Sequence, residues 1–349
     1  MLVAIFVLSK STSSMIFNRL DIIKEHYYKI RRGERGYHDL LPHNNQDEID
    51  ELISNLNSMS EAIGDYEKKL LEERNNLEKR VQEQTKELKE KNDELEKYNK
   101  VAVDQFEKAR QIHRQLFPPD FIKIKGLDLD AYYEPAERLG GDFYYVEKIS
   151  ESKVLFYVSD VAGHGLDGAM LNILVRESVN QYLSMNNIES FSPSEVLKFV
   201  HSRFVEEDFP VDYFICLLIG VIDLGEDNVC MANAGIHIPP LVLEQAGEIR
   251  EVDVKGVPIS KVIDSDMLYF NEKIIDFSKD SMLFITTDGL IEETVGEEQF
   301  GMEKVKHVVN QNRNKKAKEL SFELTTHLKA FMGGKSNNDD ITFLIIKKI

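Results

Sequence analysis

The sequence predicts an α+β protein, a β-rich sandwich with inserted helix pairs behind an all-helical N-terminal third. From Ile49 to Leu116 the apolar residues recur in steps of three and four, and no strand-like run interrupts them. From Leu127 onward, short β-branched and aromatic runs alternate with turn residues. Two amphipathic segments sit in the middle of that strand-rich part and two near its end, the pattern of helices added to a sheet domain.

The chain has 349 residues, room for two or three domains. It is 42% hydrophobic and 30% charged, enough for a sizeable core. A net charge of −18 excludes nucleic acid as a partner, because the phosphate backbone is repelled. It leaves a phosphorylated protein open as a substrate, since bound cations reverse the local field. Cys216 and Cys230 lack metal-type spacing and fit a reducing cytoplasm without a disulfide.

Taken in order, Met1–Leu8 is apolar but is followed by Lys10 and a Ser/Thr cluster. That run is too short to span a bilayer and lacks the form of a signal peptide. Residues 1–16 fit either the end of a membrane helix or a free helix end, so contact with a membrane is one expectation. Ile16–Ile30 reads as a helix, Arg31–Gly36 as a break, and Tyr37–Asn45 as a connector. Asp47-Glu48 opens a second helix, acids in the first turn suiting the helix dipole. Its apolar positions are Ile49, Leu52, Leu56, Met59, Ile63, Tyr66 and Leu70. Successive steps of four at Tyr66, Leu70 and Arg74 make a stutter. Leu77, Val81, Leu88, Leu95 and Tyr98 then continue a seam interrupted by Gln84 and Lys91. Residues 67–118 are therefore expected to form a parallel, dimeric coiled coil with a weak, register-setting core. A solvated single helix is the alternative.

Pro118-Pro119 ends the helix. Strands are expected at Leu127–Tyr133, Asp142–Glu147, Lys153–Ser159, Tyr213–Ile222, Asn228–Ala232, Pro240–Leu243, Met267–Ile275, Met282–Thr286 and Ile341–Ile346. Helices are expected at Gly168–Leu183, Ser192–Glu206, Met302–Asn312 and Lys315–Phe331, with Ser192 and Glu195 forming a capping box.

Asp142 and Asp160 flank one expected hairpin, beside Gly140-Gly141 and Gly163-His164-Gly165. Asp288 follows the run Met282–Ile285, and Asp339 precedes Ile341–Ile346. A carboxylate at the end of a buried strand is costly unless paired or metal-bound. Four of them without a Cys/His cluster point to Mg²⁺ or Mn²⁺ rather than zinc. Two such ions together activate water and clamp a phosphoryl group. Any one of these residues alone would read as a turn residue or helix cap.

Helix, glycine break, connector, DEIDELISNLNSM and stutter resemble a HAMP domain over residues 17–66, without the usual proline in the first helix. That resemblance implies a dimeric signal relay. The series QLFPP, LGGDFYYV, DVAGHGLDGAM, NAGIHIPP, TTDGLIEE and NDDIT resembles the bacterial PPM-family (type 2C-like) serine/threonine phosphatases of the SpoIIE/RsbU group. The fold so implied for residues 119–349 is a PPM-type β-sandwich flanked by helix pairs. The resemblance makes Asp142 a ligand of a second metal or a holder of its water. It makes Asp160 the bridging carboxylate, puts the Val161 carbonyl on the first metal, and adds Asp288 and Asp339 as further ligands. Asp340 would act through a water. His164 is either the proton donor to the leaving serine or a structural histidine in a tight turn. The activity implied is hydrolysis of phosphoserine or phosphothreonine by water activated on two Mn²⁺ or Mg²⁺ ions. The implied substrate is a STAS-type anti-sigma-factor antagonist, and the implied place is the cytoplasm, at the inner face of the membrane if the N-terminus touches it. The coiled coil would act on the helix that leaves DVAGHG. The sequence departs from the group at Tyr145, where GGDFYD reads GGDFYY, and at His237, which one extra residue precedes, so His237 receives no role. A scaffold that binds a phosphoprotein without hydrolysing it is the competing reading.

Overall fold

The computed structural model describes residues 2–33, 40–42, 47–118, 123–163, 165–188, 191–207, 209–244, 248–263 and 270–349. The chain divides into two compact units, Met1–Lys100 and Val101–Ile349.

In the first unit, α1 (Leu2–Arg32) is longer than the apolar pattern predicted and ends at Gly33, whose φ of 63° favours glycine. α2 (Glu48–Arg114) starts where the acidic first turn placed it and runs unbroken through the stutter. Arg19 bonds to Asp47 at 2.5 Å and also to Asp50. The Asn57 side chain closes both polar groups of Leu41, accepting from its N–H and donating to its carbonyl at 2.8 Å each. Ile53 and Ser60 are buried there. Farther along α2 the apolar seam is bare, with Leu77 61% and Leu88 71% exposed. Among the described residues, no helix is long and apolar enough to cross a membrane.

The second unit is a sandwich. One sheet has the order β1 (Leu127–Glu134), β13 (Ile341–Lys348), β10 (Met282–Thr286), β6 (Leu241–Leu243), β7 (Ile249–Glu251). The other runs β2 (Phe143–Lys148), β3 (Lys153–Val161), β4 (Phe214–Asp223), β5 (Asn228–Ala234), β9 (Glu272–Asp276), with β8 (Ile259–Ser260) against the start of β4. All these pairings are antiparallel. Helices α3 (Leu166–Met185) and α4 (Pro193–Glu206) lie between β3 and β4 in sequence. After β10 come α5 (Asp288–Glu292), the small hairpin β11 (Thr294–Val295) and β12 (Glu298–Gln299), then α6 (Gly301–Gln311) and α7 (Ala317–Met332).

Period-two alternation sorts each strand onto two cores. On β3, Val154, Phe156 and Val158 face the interior between the sheets, together with Leu283, Ile285, Leu344 and Ile346. Leu155 and Tyr157 face the other way, against Leu171, Val175 and Val179 of α3 and Val196, Val200 and Phe204 of α4. On the opposite side Phe284, Phe343 and Ile345 pack under Val305, Val309, Leu320 and Leu324 of α6 and α7. The result is four layers, helix–sheet–sheet–helix, in which central strands are buried on both faces. Each fully buried side chain of this kind contributes about 1.5–3 kcal/mol.

The expected strands are present within a residue or two, except that β9 is confined to Glu272–Asp276. Its expected beginning at 267–269 lies outside the described residues. The expected capping box on α4 is half formed. The Ser192 hydroxyl accepts from Glu195 N at 3.3 Å, but the Glu195 carboxylate takes Lys198 at 2.6 Å instead of reaching back.

Candidate metal centre

The β2–β3 hairpin pairs Phe143 with Ser159, which brings Asp142 and Asp160 to the same end of the second sheet. Antiparallel pairing of β10 with β13 sets Thr286 opposite Phe343, so Asp288 and Asp339 emerge together from the first sheet. The predicted aspartates thus gather at one end of the sandwich.

Their environments differ. Asp142 is buried, and its Oδ2 accepts from Thr287 Oγ1 at 2.6 Å. Burial, then the neighbouring Asp160, raises its carboxyl well above the usual range. Asp160 is half-buried and pushed up to about 7, by burial first and then by Asp288, Asp339 and Asp340. Asp288 opens α5 and is raised by burial and by Asp339. Asp339 is exposed. Such a group of oxygen donors, of which Asp142, Asp160 and Asp288 are made harder to ionise by burial and by neighbouring carboxylates, fits a hard divalent cation, whose charge reverses the penalty.

Asp340, expected to act through a water, also bonds directly to the backbone. It is a buried clamp whose carboxylate accepts from the backbone N–H of Ala136 at 2.8 Å, Gly141 at 2.6 Å and Asp142 at 3.3 Å. The turn that presents Asp142 is thereby tied to β13. The glycines are explained by close approach. A Cβ on Gly141 would lie 2.7 Å from the Val161 carbonyl oxygen, and one on Gly289 would lie 2.0 Å from that of Asp340. The Val161 carbonyl therefore lies against the turn that carries Asp142. His164 lies outside the described residues.

Sequence reasoning missed Thr287, Asn172 and Ser159. Asn172 donates to the Gly141 carbonyl at 2.9 Å and accepts from Ser159 Oγ at 2.9 Å, fixing α3 to the GGD turn. A buried amide on an otherwise apolar helix face was the available signal. Tyr145 does not face the centre. It stacks on Tyr157 at 5.5 Å, with the Arg176 guanidinium 5.2 Å above its ring, on the side covered by α3. His237, which carried no predicted role, stands beside Asp288, with Nε2 3.6 Å from Glu292 Oε1.

The model of the family "Stage II sporulation protein E (SpoIIE)" matches residues 150–348. Phosphoserine phosphatase RsbP of Bacillus subtilis (strain 168) is 25% identical over 194 residues, covering 54% of this chain and 46% of that protein. Phosphoserine phosphatase RsbU of the same organism is 25% identical over 189 residues, covering 54% and 53%. The chain thus spans about half the length of these curated relatives. Among solved structures, the SiaA-PP2C domain of Pseudomonas aeruginosa superposes with a TM-score of 0.63 at 20% identity, covering 72% of this chain and 98% of that one. The sandwich of the second unit is thus a PP2C-like α+β fold.

Proposed function

Since the chain belongs to the SpoIIE family, we propose that it is a divalent-metal-dependent protein phosphatase acting on phosphoserine or phosphothreonine. The observation that carries this is the convergence of Asp142, Asp160, Asp288 and Asp339 at one end of a PP2C-like sandwich. In this reading Asp160, Asp288 and Asp339 hold two Mn²⁺ or Mg²⁺ ions, with the Val161 carbonyl and Asp142 completing the set. Bound there, the ions supply charge for the phosphoryl oxygens and acidify water. Thr287 donates to one Asp142 oxygen, while Asp340 and Asn172 hold the turn that carries it. The exposed setting of Asp339 leaves the centre open to a phosphorylated side chain on another protein. His164 is the candidate donor of a proton to the leaving serine.

The substrate in this reading is a phosphorylated STAS-type antagonist, the inference being supported by the likeness to RsbP and RsbU, both named phosphoserine phosphatases. Residues 17–66 act as a HAMP-like relay, and the bare seam of α2 pairs with a second copy. A change of register there is passed to α3 and so, through Asn172, to the GGD turn. The protein works in the cytoplasm, at the inner face of the membrane where residues 1–16 reach it.

The test is phosphate release from a seryl-phosphorylated STAS protein and from a generic phosphate ester, with and without Mn²⁺, beside Asp288→Asn. Mn²⁺-dependent release abolished in Asp288→Asn is the expected result. No release and no Mn²⁺ binding would favour a phosphoprotein-binding scaffold, whereas no release from a dimer that binds Mn²⁺ tightly would be an off state awaiting its signal.

A further inference from the structure

The segment that carries Asp339 is gripped by α5 at both ends of that helix. At its start, Gly289 presses on the carbonyl of Asp340. At its far end, Glu293 is the C-cap and is 3% exposed. Its Oε2 accepts from the backbone N–H of Asn338 at 3.0 Å, and its Oε1 accepts from Asn338 Nδ2 at 2.7 Å. Asn338 immediately precedes Asp339.

The phosphatase reading gives Glu293 no task. A buried carboxylate is costly unless its oxygens are matched. Among the described residues this one has no cationic partner, and both its oxygens are taken up by Asn338 alone. Two parallel bonds to one residue fix orientation as well as distance. The latch is itself anchored. The Glu293 carbonyl accepts from Phe300 N at 2.8 Å, which closes the β11–β12 hairpin behind it, and Asn338 Nδ2 lies 3.3 Å from Thr294 Oγ1. Across the segment, Asn337 Nδ2 donates to the carbonyls of Glu134 at 3.2 Å and Asp339 at 2.8 Å. The approach to it is weakly held, because Gly333, Gly334, Lys335 and Ser336 are all exposed. Glu293 thus steadies the N-terminal side of Asp339, as β13 steadies its C-terminal side.

We propose that Glu293 is a positioning residue for the metal centre, which through Asn338 sets the separation of Asp288 and Asp339. One short helix then governs both carboxylates, Asp288 as its first residue and Asp339 through the latch at its end. Their spacing is settled before an ion arrives, so binding does not have to order the exposed Asp339. Partners that orient a ligand in this way contribute about 10–100-fold to metal affinity. The inference rests on the phosphatase reading for the role of Asp339 as a ligand.

The experiment uses the full chain, stripped with chelator. Mn²⁺ binding is followed by calorimetry, phosphate release is measured against Mn²⁺ concentration, and urea unfolding in chelator reports the fold. The variants are Glu293→Ala, Glu293→Gln, Asn338→Ala, and Glu293→Ala in an Asp339→Asn background. Glu293→Ala should weaken one Mn²⁺ about tenfold or more. The Mn²⁺ needed for half-maximal release should rise by the same factor, and added Mn²⁺ should recover the lost rate. Asn338→Ala should act in the same direction but less, since its backbone N–H remains. With Asp339→Asn in place, Glu293→Ala should weaken binding no further. Should Glu293→Ala fail to fold, Asn338→Ala, at an exposed position, carries the test. Lowered stability with unaltered Mn²⁺ affinity would overturn the proposal and leave a purely structural contact. Weakening by Glu293→Gln beside an Asn338→Ala protein that binds as the wild type does would also overturn it, because the carboxylate would then act by its charge. Phosphate release with Mn²⁺ affinity indifferent to Glu293 and Asn338 would sink the latch and leave the phosphatase reading standing. Mn²⁺ binding that depends on both residues, without release, would support the latch independently of that reading. A wild type that binds no Mn²⁺ would overturn both.

Discussion

Replacing Asp340 separates a residue that holds the centre from one that acts within it. Its carboxylate takes three backbone N–H groups of the 136–142 segment, and the residue is 9% exposed. Asp340→Ala orphans all three. Each buried donor left without a partner costs about 1–3 kcal/mol. Relief of repulsion on Asp142 and Asp160 works the other way. The net expectation is a loss of about 2–4 kcal/mol in unfolding free energy. Urea unfolding followed in chelator measures this without any contribution from bound ions. Asp340→Asn keeps one acceptor oxygen and should fall between. Both variants should weaken Mn²⁺ binding, because the Asp142 turn is no longer fixed. An Asp340→Ala protein as stable in chelator as the wild type, yet catalytically impaired, would refute the clamp and restore a role through water at the metal.

Three further outcomes follow from the same geometry. His113 is buried and held at about 4, below its ordinary 6.5, so the unfolded chain binds the extra proton and stability is lost as pH falls through that window. Between pH 7 and 5.5 the loss is about 1.2 kcal/mol, which His113→Leu should remove in urea titrations; parallel pH slopes would contradict this. Asp160 is raised from 3.8 to about 7, so the metal-free protein is favoured at low pH and loses that stability as pH rises through about 7. Its Tm in chelator should drop from pH 5 to 8, and saturating Mn²⁺ should cancel the drop; a Tm rising over that range in chelator would contradict the assignment. Inserting seven residues in the exposed seam between Arg74 and Leu95 should preserve activity, whereas three or four should change it. Activity indifferent to phase would exclude transmission through α2.

How far the fold could be read depended on how local each signal was. β10 was legible to the residue, and β3 nearly so, because strands buried on both faces become continuous apolar runs. α5, β8, β11 and β12 were not, since two to five residues are too few to show a period. The aspartates were legible as a group because glycine and strand ends mark them within a few residues. The task of Asp340 was hidden because its partners lie far upstream in the chain. Thr287 and Asn172 were hidden because a polar partner of Asp142 or of its turn carries no pattern of its own. His237 was set aside because an added residue displaced it in sequence, and its place beside Asp288 and Glu292 shows only in three dimensions.

The clamp between Asp340 and Gly141 spans 199 residues of chain, and the bond from Thr287 to Asp142 spans 145. Closing a loop that long costs about 5 kcal/mol in chain entropy before other terms are counted. No fragment lacking either end can assemble the pocket, and no early folding intermediate has met that cost. Contacts so distant in sequence also form slowly. Ion uptake at the aspartate centre should therefore lag behind the burial of the strands. It would serve as a reporter of completed folding, silent in chains nicked and separated anywhere between the hairpin and β10.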